Sequence, residues 1–137
     1  MDWRLEVIVV PVSDVDRAKH FYSEQLGFSV DVDHQATDTM RIVQLTPPGS
    51  ACSITIGSGL SESEPGSLKG LQLVVSDIEA AHQHLMEHGV ESSEVQHMDN
   101  GTWKPGQGGD WNSFVFFSDP DGNAWTVQQS PKRDQPS

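Results

Sequence analysis

The chain has 137 residues, of which 20 are acidic and 8 are basic, so its formal net charge is −12. This length fits one domain or two short modules, and the negative field disfavours nucleic acid and anionic membranes as partners. A hydrophobic fraction of 35% is too high for a disordered acidic chain. The single cysteine, Cys52, excludes an intrachain disulfide, so we expect a cytoplasmic protein in which Cys52 is a buried structural thiol.

The first half of the chain predicts a βαβββ module over about residues 4–57. The run from Leu5 to Val12 is typical of a strand buried on both faces or nearly so. Ser13 is predicted to cap the helix that follows, and Gly27 stands where a left-handed residue would end it. Three more strands are predicted, at about residues 28–33, 40–45 and 52–56.

The same pattern recurs in the second half, because Val12-Ser-Asp-Val-Asp-Arg-Ala18 has a counterpart in Val75-Ser-Asp-Ile-Glu-Ala-Ala81. A Ser/Gly/Glu-rich linker at about 57–70 separates the two modules. In the second module, about 70–129, Ser76 is the predicted helix cap and Gly89 the predicted helix end. Its strands are predicted at about residues 71–75, 93–98, 113–118 and 124–128. Residues 130–137 have the composition of a flexible tail.

The order of these features resembles the vicinal oxygen chelate superfamily, which includes glyoxalase I, extradiol dioxygenases and bleomycin-binding resistance proteins. The shared features are the paired modules, Val-Ser-Asp before the first helix, Gly27-Phe28 after it, and the turn Asp119-Pro-Asp-Gly-Asn123. The resemblance covers about residues 4–129. It implies an α+β fold in which the two βαβββ modules form one domain, 1–129, with a curved mixed sheet around a cleft, commonly completed in a homodimer.

The resemblance also implies where a metal would bind. Metal-dependent relatives carry a His or Gln on the first strand and a Glu on the last strand of each module. Val7, Gly70 and Thr126 stand at three of these positions here, and the fourth, on or beside residues 52–56, has no Asp, Glu or His near it. We therefore expect neither a cofactor nor the inherited metal site.

A divalent metal held by other residues is an alternative with less support. His97, Asp99 and Asp110 are one conceivable set of ligands. His84 and His88 stand one helical turn apart, but they fall on the polar side of the second helix, where a solvated face is the favoured interpretation.

A hairpin from Asp33 to Arg41 is roughly symmetric about Thr37, which would set Asp33 opposite Arg41. The favoured interpretation is a cross-strand ion pair worth under about 1 kcal/mol if exposed. The functional alternative places Asp33, His34, Arg41 and Gln44 on a cleft wall, as ligand contacts or acid–base groups.

The segment His97 to Trp111 is rich in glycine and predicts a long surface loop. Its two tryptophans, Trp103 and Trp111, would either close over a ligand or pack against the core or a dimer seam. Trp125 is predicted to be a core residue.

These features favour a protein that binds a small organic ligand, aromatic or cationic, in the cleft of a homodimer without the usual metal. Trp103 and Trp111 would stack on the ligand. Polar contacts would come from Gln72, Gln128, Asp33, Arg41 and Gln44. The alternative is an enzyme of the same superfamily, a lyase, isomerase or dioxygenase, which uses other metal ligands or metal-free catalysis by Asp33 and His34. A structural dimer or protein adaptor is a third class.

Overall fold

The structure is a computed structural model that describes residues 1–131. The chain divides into two compact units, the first comprising Met1–Leu68 with Asp119–Asn123, and the second comprising Lys69–Ser118 with the residues from Ala124 onward. The boundary lies within the predicted linker. Of the predicted tail, only Ser130 and Pro131 belong to the described residues.

The first unit contains one helix and one mixed sheet. Helix α1 (Val15–His20) continues as a π-helical turn (Phe21–Gln25). Among the described residues the sheet has the strand order β1-β4-β3-β2, with β1 parallel to β4 and the other pairs antiparallel. The strands are β1 (Val7–Val9), β2 (Ser29–Gln35), β3 (Arg41–Thr46) and β4 (Ser53–Ser58).

The second unit repeats this plan and adds one strand. Helix α2 spans Ile78–Glu87, and the sheet order within the described residues is β5-β9-β8-β6-β7. The strands are β5 (Leu71–Val75), β6 (Gln96–Asp99), β7 (Thr102–Pro105), β8 (Phe114–Ser118) and β9 (Ala124–Gln129). The predicted α+β fold with paired βαβββ modules is confirmed.

The helices begin one residue later than predicted. Asp14 and Asp77, not Ser13 and Ser76, are the N-caps, and their carboxylates accept hydrogen bonds from backbone amides three residues on, at 3.0 and 3.1 Å. An anionic cap also suits the positive end of the helix dipole. The predicted helix ends are confirmed, since Gly27 and Gly89 have φ values of 86° and 75°.

The predicted burial of the first strand on both faces is wrong. Strand β1 covers only Val7–Val9 and lies at the edge of its sheet. Val7 and Val9 are each 42% exposed, whereas Val10 is buried. The physical reason is that α1 covers one face of the sheet, so alternate side chains of β1 remain open to solvent.

The predicted long loop from His97 to Trp111 also needs correction, because it contains the β6–β7 hairpin. Asn100 and Gly101 connect the two strands with φ values of 50° and 79°. Two adjacent residues at positive φ are what a type I′ turn requires, and Asn-Gly is its strongest sequence signal.

Each core lies between a helix and one sheet face. Trp125 belongs to it, as predicted, while Cys52 is half-buried because it precedes β4. Among the described residues no helix is long and apolar enough to cross a membrane. The main core side chains are Ala18, Phe21, Tyr22, Val43, Leu45, Ile54 and Ile56 in the first unit, and Ile78, Leu85, Val115, Phe117, Trp125 and Val127 in the second.

A buried carboxylate organises the turn at Asp119–Asn123, which belongs to the first unit. Asp119 accepts hydrogen bonds from the Tyr22 hydroxyl at 2.7 Å, the Asn123 side-chain amide at 2.8 Å and the backbone amides of 121–123. Asn123 in turn donates to the Pro11 carbonyl at 2.8 Å and accepts from the Leu68 amide at 3.0 Å. Every bond to the carboxylate is charge-assisted, so this network is strong.

We predict that Asp119→Ala lowers the free energy of unfolding by about 3 kcal/mol or more, because it leaves several buried donors without an acceptor. Urea unfolding followed by circular dichroism measures this change. Asp38→Ala, on an exposed turn, is the matched control and should change stability by less than about 0.5 kcal/mol. Equal effects of the two substitutions would show that the network does not stabilise the fold.

Candidate functional site

The sheet of the second unit has one face toward α2 and one open face. Strand alternation places Val115 and Val127 on the helix face, where both are buried. The residues between them face the other way, and the register pairs Phe116 with Thr126 and Phe114 with Gln128. The open face therefore carries aromatic side chains on β8 beside hydroxyl and amide side chains on β9.

Three of these rings form an aromatic wall, composed of Trp103, Phe114 and Phe116. The Trp103 ring meets Phe114 edge to face at 5.4 Å and Phe116 at 5.2 Å, and the two phenylalanine rings are parallel within 5° at 6.2 Å. Such pairs are worth about 0.5–1.5 kcal/mol each beyond their buried area. Trp103 is still 43% exposed, so the wall is an ordered π surface that a ligand can reach.

Amide groups border the aromatic wall. The Gln128 side-chain NH₂ donates to the main-chain carbonyl of Trp111 at 2.8 Å, and its oxygen accepts a hydrogen bond from Gln72. Gln72 pairs with Thr126 across the β5–β9 ladder. The predicted residues Gln72, Gln128, Trp103 and Trp111 are thus associated with one sheet face, which supplies hydrogen-bonding groups beside an apolar surface.

Trp111 has a left-handed backbone, with φ of 59°, and an exposed side chain. For a bulky residue this conformation costs about 1–2 kcal/mol and persists only where neighbouring contacts impose it. Those contacts are the Gln128 bond to its carbonyl and the adjacent Asn112, whose side chain exchanges two 2.9 Å hydrogen bonds with the Met98 backbone. The segment carrying Trp111 is therefore fixed to the sheet at two points.

The polar residues predicted on β2 and β3 are divided between the two faces of the first sheet. The turn is centred one residue later than predicted, so Arg41 pairs with Gln35 and Asp33 with the buried Val43. Asp33 and Arg41 thus lie on the helix face. His34 and Gln44 occupy the open face, and the structure does not bring Asp33 and His34 together as an acid–base pair.

Asp33 and Arg41 form the predicted cross-strand ion pair, although they are diagonal neighbours and not directly opposite each other. Arg41 Nε lies 3.0 Å from Asp33 Oδ1 and its Nη2 2.9 Å from Oδ2, while Lys19 of α1 reaches the same carboxylate at 2.7 Å. Asp16 accepts a further bond from Arg41 at 2.6 Å. The pair therefore joins the β2–β3 hairpin to the helix.

The hydrogen bonds from Arg41 and Lys19 hold the pKa of Asp33 well below its ordinary value of 3.8. The carboxylates of Asp33 and Asp16 raise the pKa of Arg41. Because an efficient general base has a pKa near the working pH, this arrangement makes Asp33 a structural anion and a poor proton acceptor.

The positions that the resemblance equates with metal ligands do not fit a metal. Val7 and Thr126 lie on the open faces of their sheets, and Gly70 precedes β5 with φ of 87°. On β4 the open face carries Ser53 and Thr55. Neither an aliphatic side chain nor a glycine can donate to a metal, and hydroxyls alone are weak ligands.

The alternative metal ligands are not assembled either. Between residues 1 and 131 no cluster of three or more His, Cys, Asp or Glu side chains is suited to a metal ion. His97 Nδ1 lies 2.9 Å from the Gly106 carbonyl oxygen, and Asp99 forms an ion pair with Lys104 at 2.6 Å. The stacked rings of His84 and His88, 4.0 Å apart, belong to α2.

Sequence reasoning missed Phe114 and Phe116 as site residues. Their signal was the alternation on β8, because a strand with Val115 and Phe117 on the core side must place Phe114 and Phe116 on the other. The two phenylalanines share that face with Thr126 and Gln128.

A family model for the Glyoxalase/Bleomycin resistance protein/Dioxygenase superfamily matches residues 4–127. The chain belongs to this superfamily. Among solved structures it is similar to TnmS3, an antibiotic binding protein from Streptomyces sp. CB03234. The identity is 32%, the TM-score is 0.76, and the match covers 95% of this chain and 98% of TnmS3.

Two other superfamily structures are comparably similar. A glyoxalase/bleomycin resistance protein from Streptomyces sp. CB03234 is 32% identical, with a TM-score of 0.73, over 92% of this chain and 100% of that one. A superfamily member from Sphaerobacter thermophilus DSM 20745 is 29% identical, with a TM-score of 0.76, over 94% of this chain and 98% of that one. The likeness therefore covers both units of the fold.

The Asp33–Arg41 contact predicts a pH dependence of stability. The pKa of Asp33 is lower in the folded than in the unfolded protein, so its ionisation stabilises the fold above the ordinary value of 3.8 and this contribution is lost as the pH falls below it. We expect Asp33→Asn to destabilise the protein by a constant amount above about pH 5, and by progressively less below about pH 4. Urea unfolding at a series of pH values measures the difference.

The control is the same substitution in an Arg41→Gln background, which removes the principal partner of the carboxylate. There the pH-dependent part of the difference should shrink. If Asp33→Asn lowers the free energy of unfolding by the same amount down to pH 2.5 in the wild-type background, the lowered pKa of Asp33 is contradicted.

Proposed function

We propose that this superfamily member binds a small planar aromatic molecule reversibly on the open face of the second sheet, without a metal and without transforming it. The observation that supports this most directly is the aromatic wall of Trp103, Phe114 and Phe116, which is ordered by its own ring contacts and exposed at Trp103. Aromatic ligands stack on such surfaces, while the adjacent amides orient them.

The hydrogen-bonding groups next to the wall define the polar part of the proposed site. Gln72 and Gln128 are bonded to each other, and Gln128 is bonded to the Trp111 carbonyl, so their amides are held in place before a ligand arrives. Preorganised groups lose little entropy on binding. The wall itself is uncharged, so a cationic ligand would be favoured only through the long-range field of the net charge of −12.

The comparison with TnmS3 supports binding as the function. That protein is described as antibiotic binding and is 32% identical over nearly the full length of both chains. The residues around the wall are aromatic, aliphatic, hydroxyl and amide side chains, which suit recognition better than proton transfer. We therefore place this chain with the binding members of the superfamily, acting in the cytoplasm as a homodimer whose partner subunit completes the cleft.

We predict that Trp103→Ala weakens the binding of a flat aromatic ligand by about tenfold or more, since one stacking contact is worth roughly 1–3 kcal/mol. The measurement is a fluorescence titration with a panel of fused-ring compounds, monitored through ligand emission. Phe116→Ala should have an effect of similar size because it removes the support of the Trp103 ring.

Met86→Ala is the matched control, because Met86 is an exposed apolar residue on α2, outside the wall. It should leave the affinity unchanged. Trp111→Ala removes the indole ring but keeps the main-chain carbonyl that accepts the hydrogen bond from Gln128. It therefore tests whether the Trp111 ring itself stacks on the ligand. Unchanged affinity in both tryptophan variants would remove the stacking role.

The metal-free part of the proposal is tested separately. Protein purified without added metal should contain less than about 0.1 equivalent of Zn, Ni, Fe or Mn. The reason is that Val7, Gly70 and Thr126 stand at the positions where metal-dependent relatives carry their ligands. Inductively coupled plasma mass spectrometry measures the content. Stoichiometric metal that survives dialysis against a chelator would instead support the enzyme alternative.

A further inference from the structure

The two glutamine amides on the open face of the second sheet have a fixed direction. The main-chain carbonyl of Trp111 is an acceptor only, so the Gln128 group that meets it at 2.8 Å must be the NH₂. The Gln128 oxygen is therefore turned toward Gln72, which must donate from its own NH₂. One carbonyl thus determines the orientation of both amides, and Gln72 Oε1 lies on the side away from Gln128.

The carbonyl at the start of this series belongs to a closely bonded loop. Next to Trp111, the Asn112 side chain exchanges two 2.9 Å hydrogen bonds with the Met98 backbone. The Asn112 backbone amide donates to the Gly109 carbonyl, and its carbonyl accepts from the Gly108 amide, both at 3.1 Å. A Cβ at Gly108 would lie only 2.5 Å from that carbonyl oxygen, so the loop has no room to shift there. The direction of the amides is therefore imposed by the folded backbone.

Gln72 Oε1 is the acceptor that this arrangement leaves open. Among residues 1–131 no donor is bonded to it, and the Gln72 side chain is exposed. Gln72 pairs with Thr126, which pairs with Phe116, so the three side chains form one row across three strands. Adjacent strands lie about 4.8 Å apart, which places Gln72 roughly 10 Å from Phe116. A planar fused-ring ligand that stacks on the aromatic wall therefore reaches Gln72 with its edge.

We propose that Gln72 selects ligands that carry an uncharged hydrogen-bond donor, a hydroxyl or an N–H group, on the edge of the aromatic system. This inference rests on the proposed function and names the chemical class of its ligand. A flat molecule that covers Gln72 displaces water from Oε1, and an edge without a donor leaves that oxygen unpaired. The desolvation of an unpaired acceptor is costly, so the site discriminates against such a molecule.

The surroundings of Gln72 favour an uncharged donor over a charged group. A carboxylate on the ligand edge would set two acceptors against each other, and the net charge of −12 also repels anions. An ammonium group would lose its hydration beside Thr126 and Phe116, which supply no negative charge to compensate. The second N–H of each glutamine amide remains available to a ligand acceptor. The row therefore requires a donor at Gln72 and accommodates a carbonyl elsewhere on the same edge.

Pyrenes of matched shape test this selection. The compound 1-hydroxypyrene carries a donor, whereas pyrene and 1-methoxypyrene carry none. Fluorescence titration of the wild type at about pH 6.5, where a phenol is neutral, should give a Kd for 1-hydroxypyrene about fivefold or more below the other two. Gln72→Met keeps the length of the side chain and removes the acceptor, so the Kd values should converge to within about twofold. The Kd of pyrene itself should not rise, as it would if the substitution damaged the sheet.

Gln83→Met is the matched control, because Gln83 lies exposed on α2 and its amide donates to Glu87. It should leave the preference for 1-hydroxypyrene unchanged. Gln128→Met should weaken the preference although Gln72 is intact, because the Gln72 amide can then turn.

Equal Kd values in the wild type, or a preference that persists in Gln72→Met, would overturn this inference. The proposed function would survive either result if Trp103→Ala still weakened the binding of the pyrenes. Failure of the wild type to bind any of the compounds would overturn both proposals.

Discussion

Within the described residues, each unit has one helix, which covers one of the two faces of its sheet, and the other features follow from that constraint. Strand alternation divides every strand between a covered and an open side. The aliphatic residues Val43, Ile56, Val115 and Val127 meet the helices, and the open sides keep aromatic, hydroxyl, amide and valine side chains. In the second unit, the sheet face turned away from the helix carries the aromatic wall of the proposed ligand site.

The same division separates charge from the candidate site. Asp33 and Arg41 lie on the helix side of the first sheet, where Asp16 and Lys19 of α1 neutralise them. The aromatic wall in the second unit is bordered by amides instead. A site built from π surfaces and fixed amides recognises shape and hydrogen-bonding pattern, whereas acid–base chemistry needs a group whose pKa lies near the working pH.

Membership of the superfamily does not determine the chemistry, because function depends on the side chains at the site and not on the fold that carries them. Val7 and Thr126, which the resemblance equates with metal-ligand positions, lie on the open faces of their sheets, where Val7 has no donor atom and Thr126 has only a hydroxyl. Next to Thr126 the fold presents Phe116, and next to Phe116 the ring of Trp103. Aromatic surface at this place suits the proposed binding of an organic ligand.

The sequence by itself determined the repeated βαβββ plan, the glycine helix ends and the core role of Trp125, since these depend on local periodicity and turn chemistry. It did not determine the aromatic wall, because Trp103 reaches Phe114 and Phe116 only through the β6–β7 hairpin and the β6–β8 pairing. Nor did it determine which face Asp33 takes, since a turn centred one residue later changes every cross-strand partner. Those features depend on strand register, and register is decided by packing of the whole sheet rather than by neighbouring residues.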